Sequence, residues 1–220
     1  MPKSVLADLV EQHSWLPYVA PFALFCALTE VQQLAPGSVL WVYPLKTVLT
    51  GASIVALARW LKAPGEPFAF AAAAVGVAIL AMWILSDGLY PLLGTSTVFN
   101  PYRELHGSQA YAWIALRLLG AAVVVPIAEE FFWRGFLIRW LVGSDFRAVR
   151  MGTFTWFSFL ATSALFAVEH DRWLAGLLAG VAFNVLYYRT RSLKACIIAH
   201  GTTNLGLGIY VLVSNQWRFW

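Results

Sequence analysis

Long apolar stretches separated by short polar connections make up most of the chain. A helix needs about 20 apolar residues to cross the hydrocarbon core of a bilayer. The fourth stretch is too long for one straight perpendicular span, and Gly120 and Pro126 are places where it can bend. We expect an all-α, polytopic transmembrane helix bundle of about 7–8 spans, built as a single integral membrane domain over residues 1–220. The candidate spans are residues 16–35, 39–60, 68–86, 111–140, 153–169, 173–188 and 195–213.

The composition agrees with this pattern. Of the 220 residues, 60% are hydrophobic and 12% are charged, whereas a soluble domain is about half apolar and a quarter charged. A chain of this length cannot hide so much apolar side chain in its own interior, but lipid can solvate it. The composition therefore favours a membrane protein.

The basic residues predict an orientation. Nine Lys and Arg, Lys3 among them, lie in connections on the N-terminal side of the predicted bundle, and three lie on the other side. This bias predicts a multi-pass protein of the inner (plasma) membrane with a cytoplasmic N-terminus and, for seven spans, a C-terminus outside. It also accounts for the net charge of +4 without nucleic-acid binding. The charged N-terminal segment argues against a signal peptide, so the first stretch is interpreted as a retained anchor.

A few ionisable residues fall inside the apolar stretches, where they mark either function or an ion pair. Glu30 and Lys46 flank the first connection and could pair, and Arg117 could extend to the interface. The other three are Glu129, Glu130 and Arg134. Because Arg134 follows Glu130 by four residues, the two share a helix face, while Glu129 points about 100° away and is left free. The motif alone leaves function and a structural ion cluster as equal alternatives.

Three further polar residues fall on two later stretches. His170 ends the fifth, and His200 and Asn204 share one face of the seventh. With Glu129 they suit amide hydrolysis in a polar intramembrane cavity. Glu129, helped by His170, would deprotonate a water, and His200 and Asn204 would stabilise the oxyanion.

Neighbouring residues on these stretches have simpler interpretations. Glu169 is interpreted as an interfacial acid near Arg172 that points away from the site. Gly176 and Gly180, continued by Asn184, form a face of the sixth stretch that predicts close packing within the bundle.

Zinc is a minority alternative. Glu129, His170 and His200 with one water would satisfy its preference for three protein ligands and an open position. However, the sequence has no His-Glu-x-x-His motif, and Asn is a poor zinc ligand. Cys26 and Cys196 have no partner at metal spacing. We therefore expect no cofactor and no metal.

Three motifs in order resemble those of the CPBP family of membrane proteins, also called Abi, which includes the type II CAAX prenyl endopeptidases. The family signatures are Glu-Glu-x-x-x-Arg, Phe-x-x-x-His and His-x-x-x-Asn or Asp. The resemblance covers residues 111–213. Here the motifs read Glu129-Glu130-Phe-Phe-Trp-Arg134, Phe166-Ala-Val-Glu-His170 and His200-Gly-Thr-Thr-Asn204.

The resemblance implies a metal-independent intramembrane glutamate endopeptidase. It makes Glu129 and His170 the water-activating pair, His200 and Asn204 the oxyanion-stabilising pair, and Glu130 and Arg134 the supporting residues. The aromatic residues within and after the motifs are most similar to the subgroup found with bacterial exosortase sorting systems. The implied partner is a membrane-anchored peptide or protein substrate in the lipid bilayer, cut near its C-terminus.

Two other classes of function stay open. The family also contains proteins thought to act in immunity or as membrane scaffolds, although a scaffold has little reason to keep a costly polar set in lipid. A proton-coupled transporter is disfavoured because no repeat symmetry is detectable. One feature fits poorly with catalysis, since a span count places His170 and His200 toward opposite ends of their helices. Convergence requires helix tilt, an inward shift of the fifth span, or membrane-dipping structure in residues 142–152.

Overall fold

The computed structural model describes residues 5–35, 37–94 and 98–220, so Lys3 lies outside the described residues. Within them the chain is helical and contains no strand. A short 3₁₀ turn, Trp217–Phe219, follows the last helix. The helices of the described part are α1 (Val5–Gln12), α2 (Leu16–Leu34), α3 (Val39–Leu57), α4 (Ala69–Leu85), α5 (Pro101–Glu104), α6 (Ser108–Trp140), α7 (Trp156–Val168), α8 (Trp173–Thr190) and α9 (Leu193–Ser214).

Each of the seven predicted stretches forms a helix, which confirms the all-α membrane fold. By length and composition, α3, α6 and α9 can cross a membrane. The pair α1 and α2, which meet at 103°, would count as a fourth span if taken together. Helices α4 and α7 are apolar but shorter. The number of spans therefore stays a prediction.

Two short helices were not predicted. Helix α1 precedes the first apolar stretch, and α5 lies inside the predicted loop of residues 87–109. Helix α5 forms because Asn100 caps it, with its side chain accepting a hydrogen bond from the Tyr102 amide at 3.0 Å. Pro101, which lacks an amide hydrogen, occupies its first turn.

The long helix α6 changes its winding on both sides of the two glutamates. Gly120–Val124 and Phe131–Leu137 are π-helical, and Val125–Glu130 between them is α-helical. Wider π turns are common at functional sites because they re-aim neighbouring side chains. Gly120, one of the two predicted bend positions, begins the first π-helical stretch, whereas Pro126 lies in the α-helical part that contains Glu129 and Glu130.

Helices α4 and α9 pack closely at a glycine. A Cβ atom added to Gly76 would collide with the carbonyl oxygen of Ala199. The Thr203 hydroxyl also donates to the Gly76 carbonyl oxygen at 2.9 Å. Since Ala199 directly precedes His200, this contact helps to set the position of the site.

Gly76→Ala is expected to destabilise the protein by about 1–3 kcal/mol, because the added methyl meets backbone that cannot rotate away. The measurement is the thermal unfolding midpoint in detergent. Gly51→Ala is the matched control, since Gly51 also lies inside a helix and its added Cβ would lie 3.7 Å from Val124 Cγ2. That variant should be neutral or slightly more stable. Equal losses in both variants would contradict the packing argument.

Candidate active site

One cavity of about 610 Å³ is lined by all four residues predicted to be catalytic: Glu129, His170, His200 and Asn204. They come from α6, the end of α7, and α9. The structure therefore brings the three motifs together.

The ends of two helices place the histidines. His170 lies just beyond the end of α7, which has 13 residues and extends over roughly 20 Å at the rise of an α-helix. His200 lies about two turns into the 22-residue α9. Both line the same cavity, although the span count had placed them toward opposite ends of their helices.

The predicted pair of Glu130 and Arg134 is present and fully buried. Arg134 Nη1 donates to Glu130 Oε1 at 2.9 Å, and the side chains are 1% and 0% exposed. The same carboxylate oxygen lies 2.9 Å from His200 Nδ1, a contact that was not predicted. Because that oxygen accepts from Arg134, His200 Nδ1 is the donor in the second bond. Glu130 therefore orients the His200 ring.

A second polar residue completes the support of Arg134. Arg134 Nε donates to Asn184 Oδ1 at 3.1 Å, and Nη2 donates to the Gly180 carbonyl at 3.3 Å. Asn184 in turn donates to the hydroxyls of Thr162 and Ser163 at 2.9 and 3.0 Å. A continuous network thus links α9, α6, α8 and α7. Sequence reasoning placed Asn184 only in a packing face, although an Asn within an apolar helix is itself a signal of such a network.

Glu129 differs from its neighbour in lacking strong partners. Its side chain lines the cavity and the residue is 4% exposed. Among the described residues, its Oε2 accepts no hydrogen bond, and the nearest ion-pair partner is His200 Nε2 at 3.9 Å. Glu129 is thus placed to meet a group from another helix, and its catalytic role stays a prediction.

His170 is held in one tautomer. Its Nδ1 lies 2.8 Å from the Phe166 carbonyl oxygen, and a carbonyl only accepts, so Nδ1 carries the proton. The other ring nitrogen, Nε2, then has a free lone pair when the ring is neutral. Gly176 packs against this residue, because an added Cβ would lie 3.3 Å from His170 Nδ1. This contact confirms the packing role predicted for the glycine face of α8.

Asn204 is anchored to the first π-helical stretch. Its Nδ2 donates to the Ala121 carbonyl oxygen at 2.9 Å, which uses one of its two N–H groups. The helices meet closely here, since a Cβ added to Gly201 would lie 2.7 Å from the Ala122 carbonyl oxygen. The anchored amide keeps Asn204 at the cavity wall with one N–H still available.

The interpretation of Glu169 was wrong. Glu169 lines the same cavity as Glu129, and Arg172 pairs instead with Asp87 at 2.8 Å. The rule of 100° per residue fails here because α7 ends at Val168.

No group of three His, Cys, Asp or Glu side chains in residues 5–35, 37–94 and 98–220 is arranged to hold one metal ion. The three-ligand set of Glu129, His170 and His200 is therefore not assembled in this arrangement of side chains.

Residues 111–206 match the family model described as type II CAAX prenyl endopeptidase Rce1-like. The match covers less than half of the 220 residues, so it shows what this part of the chain is similar to. This match confirms the resemblance, but it does not separate subgroups, so the exosortase-associated placement stays a prediction. No match was found among curated proteins or solved structures. Because the Rce1-like family is a protease family, the match supports a membrane-embedded peptide hydrolase.

Proposed function

We propose that the protein is an intramembrane endopeptidase that hydrolyses a peptide bond with a water activated by Glu129. The main support for this proposal is the set of polar groups in the cavity. It holds a buried carboxylate with an unpartnered oxygen beside two histidines and an amide. A buried network holds one of those histidines in place. A scaffold protein would not need this arrangement.

Glu129 and His170 activate the attacking water. The Glu129 carboxylate takes a proton from the water, and the free Nε2 of His170 orients the water or shares the proton. The hydroxide oxygen then forms a bond to the peptide carbonyl carbon, and the carbonyl oxygen becomes the oxyanion. Transfer of the proton from Glu129 to the departing amine completes the cleavage.

Asn204 and His200 face the developing oxyanion. Asn204 can donate its second N–H in every protonation state. His200 can donate from Nε2 only when both ring nitrogens carry protons, because its Nδ1 proton is engaged with Glu130. Preorganised donors of this kind lower the barrier because they need no rearrangement as charge develops.

The sequence supports a proposal for the substrate, the membrane location and the partner. We propose a membrane-anchored peptide or protein substrate, cleaved near its C-terminus, and catalysis without a metal. The Lys and Arg bias supports an inner-membrane location with the N-terminus in the cytoplasm and the C-terminus outside. An exosortase-type sorting system is the proposed partner, on the basis of the aromatic residues of the motifs.

The test uses purified protein in detergent with a panel of quenched membrane-anchored peptides, with and without a chelator. Cleavage that survives chelation supports the glutamate mechanism. Cleavage lost with chelator and restored by zinc would contradict it. Absence of cleavage across the panel by folded protein would favour a binding role without turnover.

Asn204→Ala is expected to lower kcat by about 10²-fold, since one oxyanion donor is removed, with little change in KM. Asn204→Leu is the matched variant, because it keeps nearly the size of the side chain and has no N–H donor. Both variants should lose activity to a similar degree. Full activity in Asn204→Leu would show that N–H donation is not the role of this residue.

A further inference from the structure

Two basic side chains lie near the same aromatic ring, and one of them lines the cavity. Arg117 Cζ lies 4.2 Å from the centre of the Tyr43 ring, and Lys46 Nζ lies 4.9 Å from it. Arg117 lines the cavity. Lys46 is 4% exposed and donates to the Thr29 hydroxyl at 3.1 Å. A negative group nearby would stabilise positive charge in this largely apolar setting.

No carboxylate among the described residues forms an ion pair with either cation. The predicted pair of Glu30 and Lys46 is therefore not formed, although Glu30 lines the same cavity. The buried Nε of Arg117 has no hydrogen-bond partner in the described part of the chain. Arg117 thus has unused donors at the cavity wall.

The other arginines of the cavity differ from Arg117 in this respect. Arg172 Nε lies 2.8 Å from Asp87 Oδ1, and Arg218 Nη2 lies 3.1 Å from Asp87 Oδ2. Both therefore pair with the same carboxylate, whereas Arg117 pairs with none among the described residues. A negative group on a molecule in the cavity would supply that partner.

Aromatic rings hold the Arg117 guanidinium in place. Besides Tyr43, the rings of Trp220 and Trp113 lie 5.1 and 5.8 Å from Arg117 Cζ. Rings stacked on a guanidinium leave its N–H edge available for two parallel bonds to a carboxylate or phosphate.

We infer that Arg117, with Lys46 beside it, forms an oxyanion-binding subsite of the cavity. The subsite takes a carboxylate or a phosphate carried by the molecule that occupies the cavity. The inference rests on the proposed function, in which the substrate's C-terminal carboxylate is the source. A phospholipid headgroup offers the same chemistry, and the experiment below distinguishes the two.

The position of the subsite predicts how far from the substrate's C-terminus the peptide bond is cleaved. Arg117 and Glu129 lie on one continuous helix, 129 − 117 = 12 residues apart, which corresponds to roughly 18 Å along its axis. An extended peptide covers that distance with roughly five residues. A substrate whose carboxylate binds Arg117 would therefore be cut about five residues from its C-terminus.

The test measures binding by fluorescence anisotropy in dodecyl maltoside. The probes are dye-labelled apolar decapeptides that end in a free carboxylate or in an amide. Wild-type protein should bind the acid about tenfold more tightly than the amide. Arg117→Gln should lose this preference, and Arg218→Gln should keep it because Arg218 already pairs with Asp87. Since binding is measured, failure of the Glu129 mechanism would leave this result unchanged.

Two additional measurements distinguish a substrate carboxylate from a lipid phosphate as the bound anion. If phosphatidylglycerol raises the thermal midpoint of wild type but not of Arg117→Gln, and the peptides show no acid preference, the anion is a lipid phosphate. Arg117→Lys, which keeps the charge, should retain part of the preference even if Arg117→Gln fails to fold. The inference is overturned if the preference persists in Arg117→Gln. It is also overturned if neither the free carboxylate nor the lipid distinguishes the two proteins.

Discussion

Glu129→Gln is expected to lower kcat by roughly 10²–10⁴-fold, because glutamine keeps the shape of the side chain but cannot accept a proton from water. The protein should remain folded, since Glu129 Oε2 accepts no hydrogen bond among the described residues that the substitution could break. The measurement is turnover of a quenched membrane-anchored peptide, paired with the thermal unfolding midpoint. A large fall in kcat with an unchanged midpoint identifies the loss as chemical.

Glu30→Gln is the matched control for this prediction. Glu30 is a second carboxylate of the same cavity, but it is exposed and lies outside the three motifs. Its replacement should leave kcat within a few-fold of wild type. Equal losses in the two variants would show that the negative charge of the cavity matters, and that Glu129 has no special role as a base.

Glu130→Ala is expected to destabilise the protein by about 3–5 kcal/mol, because it leaves the buried Arg134 guanidinium without its counter-charge. Arg134 is 1% exposed and keeps only the Asn184 and Gly180 oxygens as acceptors. The substitution also removes the acceptor of His200 Nδ1, so the ring loses its orientation. The thermal unfolding midpoint in detergent measures the first effect, and kcat measures the second.

The double variant Glu130→Ala with Arg134→Met separates the two effects. Removal of both charges should restore much of the stability, because no buried charge is then left unpaired. Activity should stay low, since His200 still lacks its partner. Additive losses of stability in the double variant would show that the two side chains do not act as a pair.

Most of the fold could be predicted from the sequence. The seven apolar stretches became helices because each is long and apolar, and these are local properties. The pairing of Glu130 with Arg134 was also predictable, since residues four apart share a helix face whatever surrounds the helix. The short helices α1 and α5 were missed because neither has the long apolar pattern on which the prediction relied.

The candidate site was only partly predictable. The motif residues could be named from the sequence, but their convergence could not, because a simple span count separated His170 from His200. The bond between His200 and Glu130 and the role of Asn184 join residues 70 and 50 positions apart. Contacts between positions so distant in the chain depend on how whole helices pack.

The sequence by itself determined the helices, the membrane setting, the motif residues and the pairing within one helix face. All of these depend on hydrophobicity and on the helical repeat, which act over a few residues. The tertiary structure alone decided the convergence of His170 with His200, the entry of Glu169 into the cavity, and the position of Arg117 among aromatic rings. These features depend on helix ends and on contacts between helices, which the local pattern of apolar and polar residues does not specify.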